Sequence, residues 1–192
     1  IFANLDAYAR FDPGNPTASR FVDEDLNRVW DDALLDSSRD SRELTRARAL
    51  RPLIDSFDTL LDLHSMLWPG DPLILCGPTA RGLRLAARLG NPPLIVADHG
   101  HAGGRRLIDY RPFVDPAGHH KAVLVEAGQH WQPQTVDRMT SVIAALFVAD
   151  ADAESIQIRS PRHAQVTHVI TASTNLFSFT QAYRGGEIVA KS

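Results

Sequence analysis

Four short apolar runs, each stopped by polar residues or glycine, most constrain the fold of this chain. They alternate with helix-like segments and cover residues 57–63, 72–76, 94–97 and 121–127. Apolar runs of this length, bounded by Asp, Gly and Pro, indicate buried strands. Strands that alternate with helices predict an α/β layered domain with a mostly parallel central sheet. Ligands of such sheets bind beyond the carboxyl ends of the strands.

The predicted helices have recognisable ends. Either Asp40 or Ser41 is placed to cap a helix, Glu43 to complete a capping box, and Pro52 to kink or end that helix. Residues 79–89 form a second predicted helix, which is stopped by the following Gly-Asn-Pro. The apolar spacing over 136–147 predicts an amphipathic third helix.

The pattern changes near residue 150. We predict an α/β catalytic domain over 1–149 and a small, incomplete β-rich unit over 150–192. The β segments predicted in that unit cover 155–158, 165–170 and 187–190. The chain begins with Ile1 in what resembles the interior of a domain, so we expect further residues upstream.

Composition excludes several classes of protein. The 192 residues are 44% hydrophobic and 22% charged with a net charge of -3, which argues against binding to nucleic acid or to a membrane surface. No apolar run approaches the roughly 18 residues of a membrane span. The single cysteine, Cys76, excludes an intramolecular disulfide and a cysteine-rich zinc site. It favours a reducing compartment, and we predict a cytoplasmic location. A homo-oligomer is compatible with the sequence.

Two polar residues stand at the ends of predicted strands. His64 follows the first strand and suits either a structural role or a metal ligand. Glu126 follows an Ala-Val-Leu-Val run, where an unpaired carboxylate would be costly. Partial burial would raise the pKa of Glu126 and suit it to general acid or base chemistry. An ion pair with a loop arginine is the alternative.

The most polar stretch covers residues 20–30, with two arginines, three carboxylates and an amide. Arg28 beside Asn27 suits binding of a carboxylate, because a guanidinium offers paired donors and the amide adds another. The alternative is a solvated loop held by local ion pairs.

The predicted long loop over 98–118 contains further candidates. Its three arginines could reach an anionic substrate or be solvated, and they are Arg105, Arg106 and Arg111. His99 and His101 form a His-x-His pair that could bind a metal, although no third ligand stands near them in sequence. His130 suits a surface or supporting role. The roles of these three histidines stay open.

Three motifs, in this order, resemble the succinylglutamate desuccinylase/aspartoacylase family, zinc hydrolases related to the zinc carboxypeptidases. They are Arg20 with Asp-Leu-Asn-Arg at 25–28, Asp-Leu-His-Ser at 62–65, and Val-Glu-Ala-Gly-Gln-His at 125–130. The resemblance covers roughly residues 1–148. It implies a zinc-carboxypeptidase-like layered domain, followed in the family by a second β domain that shapes the substrate channel.

The resemblance also implies roles for individual residues. His64 would be the third ligand of one Zn²⁺ per subunit. Glu126 would be the general base that takes a proton from a metal-activated water and passes it to the leaving amine. Arg20 would stabilise the oxyanion, and Asn27 and Arg28 would bind a substrate carboxylate.

Two parts of the family pattern do not align directly. The family uses an arginine and a tyrosine between the histidine strand and the glutamate strand, for which Arg106 and Tyr110 are the candidates for substrate binding. The first two zinc ligands come from a His-x-x-Glu motif, which this sequence lacks. We expect that motif upstream of Ile1, and without it the zinc would be incompletely ligated.

The resemblance therefore implies a zinc-dependent amidohydrolase that cleaves an N-acyl amino acid or a related carboxylate-bearing amide, a small-molecule substrate. Two alternatives stay open. One is a carboxypeptidase-like peptidase, and the other is a metal-free module that binds a small carboxylate. The sequence contains no Gly-x-Ser-x-Gly turn, His-Glu-x-x-His helix or phosphate-binding glycine loop.

Overall fold

The computed structural model describes residues 1–151, 168–171, 183–184 and 187–188. Five strands form one sheet in the order β1-β4-β2-β3-β5. They are β1 (Thr59–Met66), β2 (Leu73–Leu75), β3 (Leu94–Ala97), β4 (Lys121–Gln129) and β5 (His168–Thr171). A separate antiparallel pair is formed by β6 (Tyr183–Arg184) and β7 (Glu187–Ile188).

Three of the four neighbouring strand pairs in the sheet are parallel, so the sheet is mostly parallel, as predicted, with one antiparallel pair. β1 is parallel to β4, and β3 is parallel to both β2 and β5, but β2 is antiparallel to β4. The reason is the connection from β1 to β2, which spans only residues 67–72. A parallel return needs a crossover of about a dozen residues or more, so the short connection returns β2 in the opposite direction.

The described residues contain six helices and three short 3₁₀ segments. The helices are α1 (Leu5–Tyr8), α2 (Asp32–Leu35), α3 (Arg42–Ile54), α4 (Ala80–Leu89), α5 (Arg111–Val114) and α6 (Pro133–Ala151). As predicted, Ser41 caps α3, and its hydroxyl oxygen accepts a hydrogen bond from the Leu44 amide at 3.0 Å. Pro52 lies in the last turn and does not interrupt the helix. Glu43 does not close a capping box, because its carboxylate binds a different loop.

Two apolar layers cover the two faces of the sheet. One layer contains α3 with Trp30, Tyr110 and Phe113, and it packs against the face of β4 that carries Leu124. The other contains α4 and α6 and packs against the face that carries Val125. Side chains alternate between faces along a strand. His64 and Glu126 therefore belong to the face covered by α3 and the loops beside it.

The segment predicted as a long loop over 98–118 is partly regular. It contains a 3₁₀ turn at Leu107–Asp109 and then α5. Near the carboxyl end of the chain, β5 adds to the main sheet beside β3. The domain boundary predicted near residue 150 stays a prediction, and the predicted segment at 155–158 lies outside the described residues. None of the described helices is both long enough and apolar enough to cross a membrane.

Candidate active site

His64 and Glu126 lie directly opposite each other on the neighbouring strands β1 and β4. Because these two strands are parallel, both residues lie near the carboxyl ends of their strands, as predicted from the sequence. Asp62 precedes His64 by two residues and so lies on the same face. Its Oδ2 lies 3.0 Å from His64 Nε2. The sheet thus brings an imidazole and two carboxylates to one edge.

An irregularity of pairing follows immediately. His64 pairs with Glu126, but Met66 pairs with Gln129, so β4 carries an extra residue at this point. The bulge contains Gly128, whose φ of 132° is poorly tolerated by other residues. A Cβ on Gly128 would lie 2.8 Å from the Thr135 hydroxyl oxygen. Bulges of this kind redirect side chains beside active sites.

The titratable groups perturb one another. Burial opposes the charged form of His64, but the charge and hydrogen bond of Asp62 and the charge of Glu126 raise its pKa to about 9. Burial raises the pKa of Glu126, an effect that His64 and Arg20 partly offset and that Asp62 reinforces. In this metal-free arrangement the imidazole therefore carries a proton at neutral pH.

One oxygen of Glu126 is left without a donor. Its Oε2 is fully buried, and no hydrogen-bond donor of the described residues reaches it. A buried carboxylate oxygen without a donor is unfavourable, because the lost hydration is not replaced. Such an atom is expected where a substrate, a water or a cation binds.

Arg20 brings positive charge to the same site. Its guanidinium donates to Asp25 Oδ2 at 2.8 Å and is largely exposed. The charge of Arg20 lowers the pKa of both His64 and Glu126. Burial would raise the pKa of Asp25, but the bond and charge of Arg20 and the Asn27 amide together lower it. Asp25 therefore stays ionised and orients Arg20.

The neighbouring residues Asn27 and Arg28 are held by the loop that follows β3. The Leu107 amide donates to Asn27 Oδ1 at 2.7 Å, which leaves the Asn27 Nδ2 group to donate elsewhere. Arg28 is half-buried, and its Nη1 donates to the Asn27 carbonyl at 2.6 Å. At Gly104 a Cβ would lie 2.3 Å from the Arg28 carbonyl oxygen, so only glycine permits this approach.

Glu43 fixes the segment between Arg20 and Asp25. Its buried carboxylate accepts backbone hydrogen bonds at 2.7 to 3.2 Å from the amides of three consecutive residues, which are Val22, Asp23 and Glu24. The Asn4 amide group donates a fourth bond at 3.0 Å. Burial would raise the pKa of Glu43, but these four donors lower it. Glu43 thus replaces regular secondary structure as the support of this loop.

Two of the predicted substrate-binding residues are buried, and their polar groups already form hydrogen bonds within the protein. Arg106 is 4% exposed and donates to both Asp98 and Asp109, with Nη1 to Asp98 Oδ2 at 2.9 Å and Nε to Asp109 Oδ2 at 2.6 Å. The Tyr110 hydroxyl donates to Asp55 at 2.8 Å and accepts from Arg51 at 3.0 Å. Neither side chain can contact a substrate unless these bonds break, so the arrangement gives both a structural role.

The other histidines differ in their relation to the site. His130 lies beside it, with its Nδ1 2.6 Å from the hydroxyl oxygen of Ser65, the residue after His64. Burial and the charge of Arg20 lower the pKa of His130, so the ring is neutral at neutral pH. His101 Nδ1 accepts from the Gly103 amide at 2.9 Å, and His99 is exposed.

The environment of His64 fits that of a metal ligand. Metal-bound histidines commonly donate their second ring nitrogen to a carboxylate, which fixes the ring orientation. Asp62 holds Nε2 in this way, which leaves Nδ1 for a ligand. The described residues supply no complete cage around His64, since their groups of three neighbouring ligands are limited to Asp58, His119 and His120.

Sequence reasoning missed three supporting residues, although a signal existed for one of them. Asp62 stands two residues before His64 on a strand, a spacing that puts both on one face. No local sequence pattern predicts the contact of Ser65 with His130, because Ser65 lies on β1 and His130 directly follows β4. Glu43 was assigned to a helix cap, and its true partners lie 19 to 21 positions away.

Comparison with solved structures identifies the fold. Succinylglutamate desuccinylase from Vibrio cholerae matches with a TM-score of 0.57 at 19% identity over 88% of this chain. The enzyme of the same name from Chromobacterium violaceum gives 0.55 at 17% identity over 84%. A mutant of murine aminoacylase 3 gives 0.55 at 20% identity over 76%. At these identities the likeness establishes the fold, and the predicted resemblance is confirmed at that level.

The chain spans about half the length of these proteins, with coverage of 55%, 52% and 52% of theirs. No protein-family model matches the sequence. No curated protein matches it either.

Proposed function

We propose that this chain carries most of the active site of a zinc-dependent amidohydrolase that removes the acyl group from an N-acyl amino acid or a related carboxylate-bearing amide. The observation that carries the proposal is the pairing of His64, held by Asp62, with Glu126, whose buried Oε2 meets no donor in the described part of the chain. The solved structures of this fold include desuccinylases and an aminoacylase.

In the proposed site His64 holds the zinc through Nδ1, and Asp62 orients the ring. The remaining ligands would be those of the predicted His-x-x-Glu motif, which this sequence does not contain. When bound, zinc would act as a Lewis acid that lowers the pKa of its bound water towards about 7 and polarises a carbonyl. The carboxylate of Asp62 contacts the imidazole at Nε2, which makes His64 a stronger ligand.

Glu126 acts as the general base and then as the general acid. Its carboxylate takes a proton from the attacking water and passes it to the nitrogen of the leaving amine, so the proton balance closes within one turnover. The raised pKa of Glu126 suits both steps, because a base works best when its pKa approaches the operating pH.

The polar stretch over 20–30 binds the remaining charges of the substrate through its two arginines and its amide. Arg20 is exposed and near Glu126, where its guanidinium can stabilise the negative oxygen that develops in the transition state. Arg28 and the Asn27 Nδ2 group bind the substrate carboxylate, since they present adjacent donors. Arg106 and Tyr110 support this loop and do not contact the substrate.

The experiment is hydrolysis of a panel of N-acyl amino acids by the full-length protein. Activity should fall when a chelator removes the metal and return when zinc is added. Peptides with unblocked amino termini serve as the matched control, because release of their carboxyl-terminal residue would indicate a carboxypeptidase. Binding of N-acyl amino acids without hydrolysis, unaffected by the chelator, would instead identify a carboxylate-binding module.

A further inference from the structure

A second group of metal-binding side chains lies at the opposite end of β1 and β4. Asp58 directly precedes β1, and His119 and His120 directly precede β4. The strands are adjacent and parallel, so these three residues meet, and their ligand atoms lie within 4.8 Å of one another. Asp58 and His64 are six positions apart along the strand, which corresponds to a distance of about 20 Å.

The distances within this group suit a small cation. His119 Nε2 lies 3.0 Å from Asp58 Oδ1, and the rings of His119 and His120 have their centroids 4.0 Å apart. Ligands that surround zinc tetrahedrally at about 2.0–2.1 Å lie roughly 3.3 Å from one another. Small side-chain rotations are therefore enough to close the three ligands around an ion.

The backbone that carries these ligands is already fixed. Arg81 donates through Nε to the His120 carbonyl at 2.9 Å and through Nη2 to the Asp115 carbonyl at 2.7 Å. The Lys121 amide donates to the Asp58 carbonyl at 3.0 Å, which ties the two strand ends together. Binding therefore has to order the ligand side chains alone, and not the segments that bear them.

A cavity adjoins the two histidines. Its lining includes Asp115 and Arg111 together with His119 and His120. Asp58 does not line this space, which adjoins the two histidines and has room for water beside them. Asp115 adds a second carboxylate that can hydrogen-bond such a water.

We propose that Asp58, His119 and His120 form a binding site for a divalent transition metal, zinc in the first place. Two imidazoles and one carboxylate suit zinc, nickel or copper better than magnesium or calcium, which prefer oxygen ligands. The ion links the start of β1 to the start of β4 and so stabilises the fold. The site is separate from the one at His64 and does not depend on the proposed hydrolase activity.

Zinc titration of the full protein tests this site in a His64→Gln background, stripped of metal by a chelator. That background removes one ligand of the proposed catalytic zinc and so weakens that site, while changes at Asp58, His119 and His120 act only on the second site. Asp58→Asn and the double change His119→Gln/His120→Gln should each weaken zinc binding by at least about tenfold. The matched control is His99→Gln, an exposed histidine outside the group, which should leave binding unchanged.

Two further measurements locate the ion and exclude misfolding. Bound Cu²⁺ should broaden the amide NMR signals of Thr59 and Lys121, which flank the ligands. Zinc should raise the thermal midpoint of the His64→Gln protein and have no such effect after Asp58→Asn. Unchanged zinc affinity in both ligand variants, with their metal-free thermal midpoints close to that of the background, would overturn the site. The pair of Asp58 with His119 would then be a surface ion pair only.

Discussion

Glu126 lies directly opposite His64 on a neighbouring parallel strand, and the two side chains share one face of the sheet with Asp62. This relationship depends on backbone pairing alone, which makes it insensitive to side-chain rotamers. It also explains why a buried carboxylate can persist without a donor among the described residues, because the imidazolium beside it partly offsets its charge. The first prediction tests the carboxylate.

Glu126→Gln should reduce kcat by roughly 10²- to 10⁴-fold, the range for loss of a general base. The change removes a buried carboxylate whose pKa is raised, so it should stabilise the metal-free protein. The gain should appear only above the unfolded pKa of about 4.3, because both side chains are neutral below it. Urea unfolding at pH 7 and pH 3.5 measures the difference. Retained hydrolysis would refute the role of base.

Glu43→Gln should destabilise the protein by about 2 kcal/mol at pH 7, because a neutral amide replaces a carboxylate that accepts four hydrogen bonds. The folded pKa of Glu43 is lowered, so its contribution is present above the unfolded pKa of about 4.3 and is lost as pH falls through the folded value. Asp6→Asn, which changes an exposed carboxylate, is the control. An equal effect of Glu43→Gln at low pH would contradict this account.

Arg20 and Arg28 should affect different kinetic constants. Arg20→Ala should lower kcat by about 100-fold, as expected for a donor to the oxyanion. Arg28→Ala should mainly raise KM, since it binds a part of the substrate that does not react. Arg111→Ala is the control, because its guanidinium binds Asp32 and is largely exposed. The same change in kcat for both variants would show that the assigned roles are wrong.

Gly128→Ala should destabilise the protein by about 3 kcal/mol, because it combines an unfavourable φ with a contact at the Thr135 hydroxyl. The matched control is Gly77→Ala, which has φ of 61° but no atom within 4 Å of the new Cβ. That change should cost about 1 kcal/mol. Thermal unfolding measures both, and equal costs would show that backbone strain alone matters at Gly128.

Arg106→Lys should destabilise the protein by roughly 3 kcal/mol, because lysine cannot hold both buried carboxylates. Arg105→Lys, at a more exposed pair with Asp31, should change stability by less than about 0.5 kcal/mol. The kinetics separate the two roles of Arg106. If KM, measured well below the thermal midpoint, is unchanged in Arg106→Lys, the structural role holds. A greatly raised KM would instead support the predicted contact of Arg106 with the substrate.

The sequence predicted those parts of the fold that depend on local pattern. The apolar runs located β1 to β4, and Ser41 located the start of α3, because burial and capping act over a few residues. The sequence did not locate the antiparallel pair of β2 with β4, because that pairing depends on a short connection and on a strand that comes about 45 residues later. No local pattern contains that information.

For the candidate site, too, the sequence predicted some features and not others. His64 and Glu126 were predicted as neighbours because both end strands, and the pairing of β1 with β4 bears this out. Arg106 and Tyr110 were candidates for substrate binding because the family uses an arginine and a tyrosine in this part of the chain, and both are buried. An arginine and a tyrosine in a loop look the same in sequence whether their partners are ligands or buried carboxylates.

The wall of the site that carries Asn27 and Arg28 contains almost no regular secondary structure and takes its shape from cross-links to the segment at 104–107. The length of the connection that leads into that segment therefore affects where Asn27 and Arg28 lie. Adding or deleting one residue between His99 and Gly103 should displace these two residues without altering any described strand, so the edge of the sheet that carries His64 and Glu126 should stay unchanged.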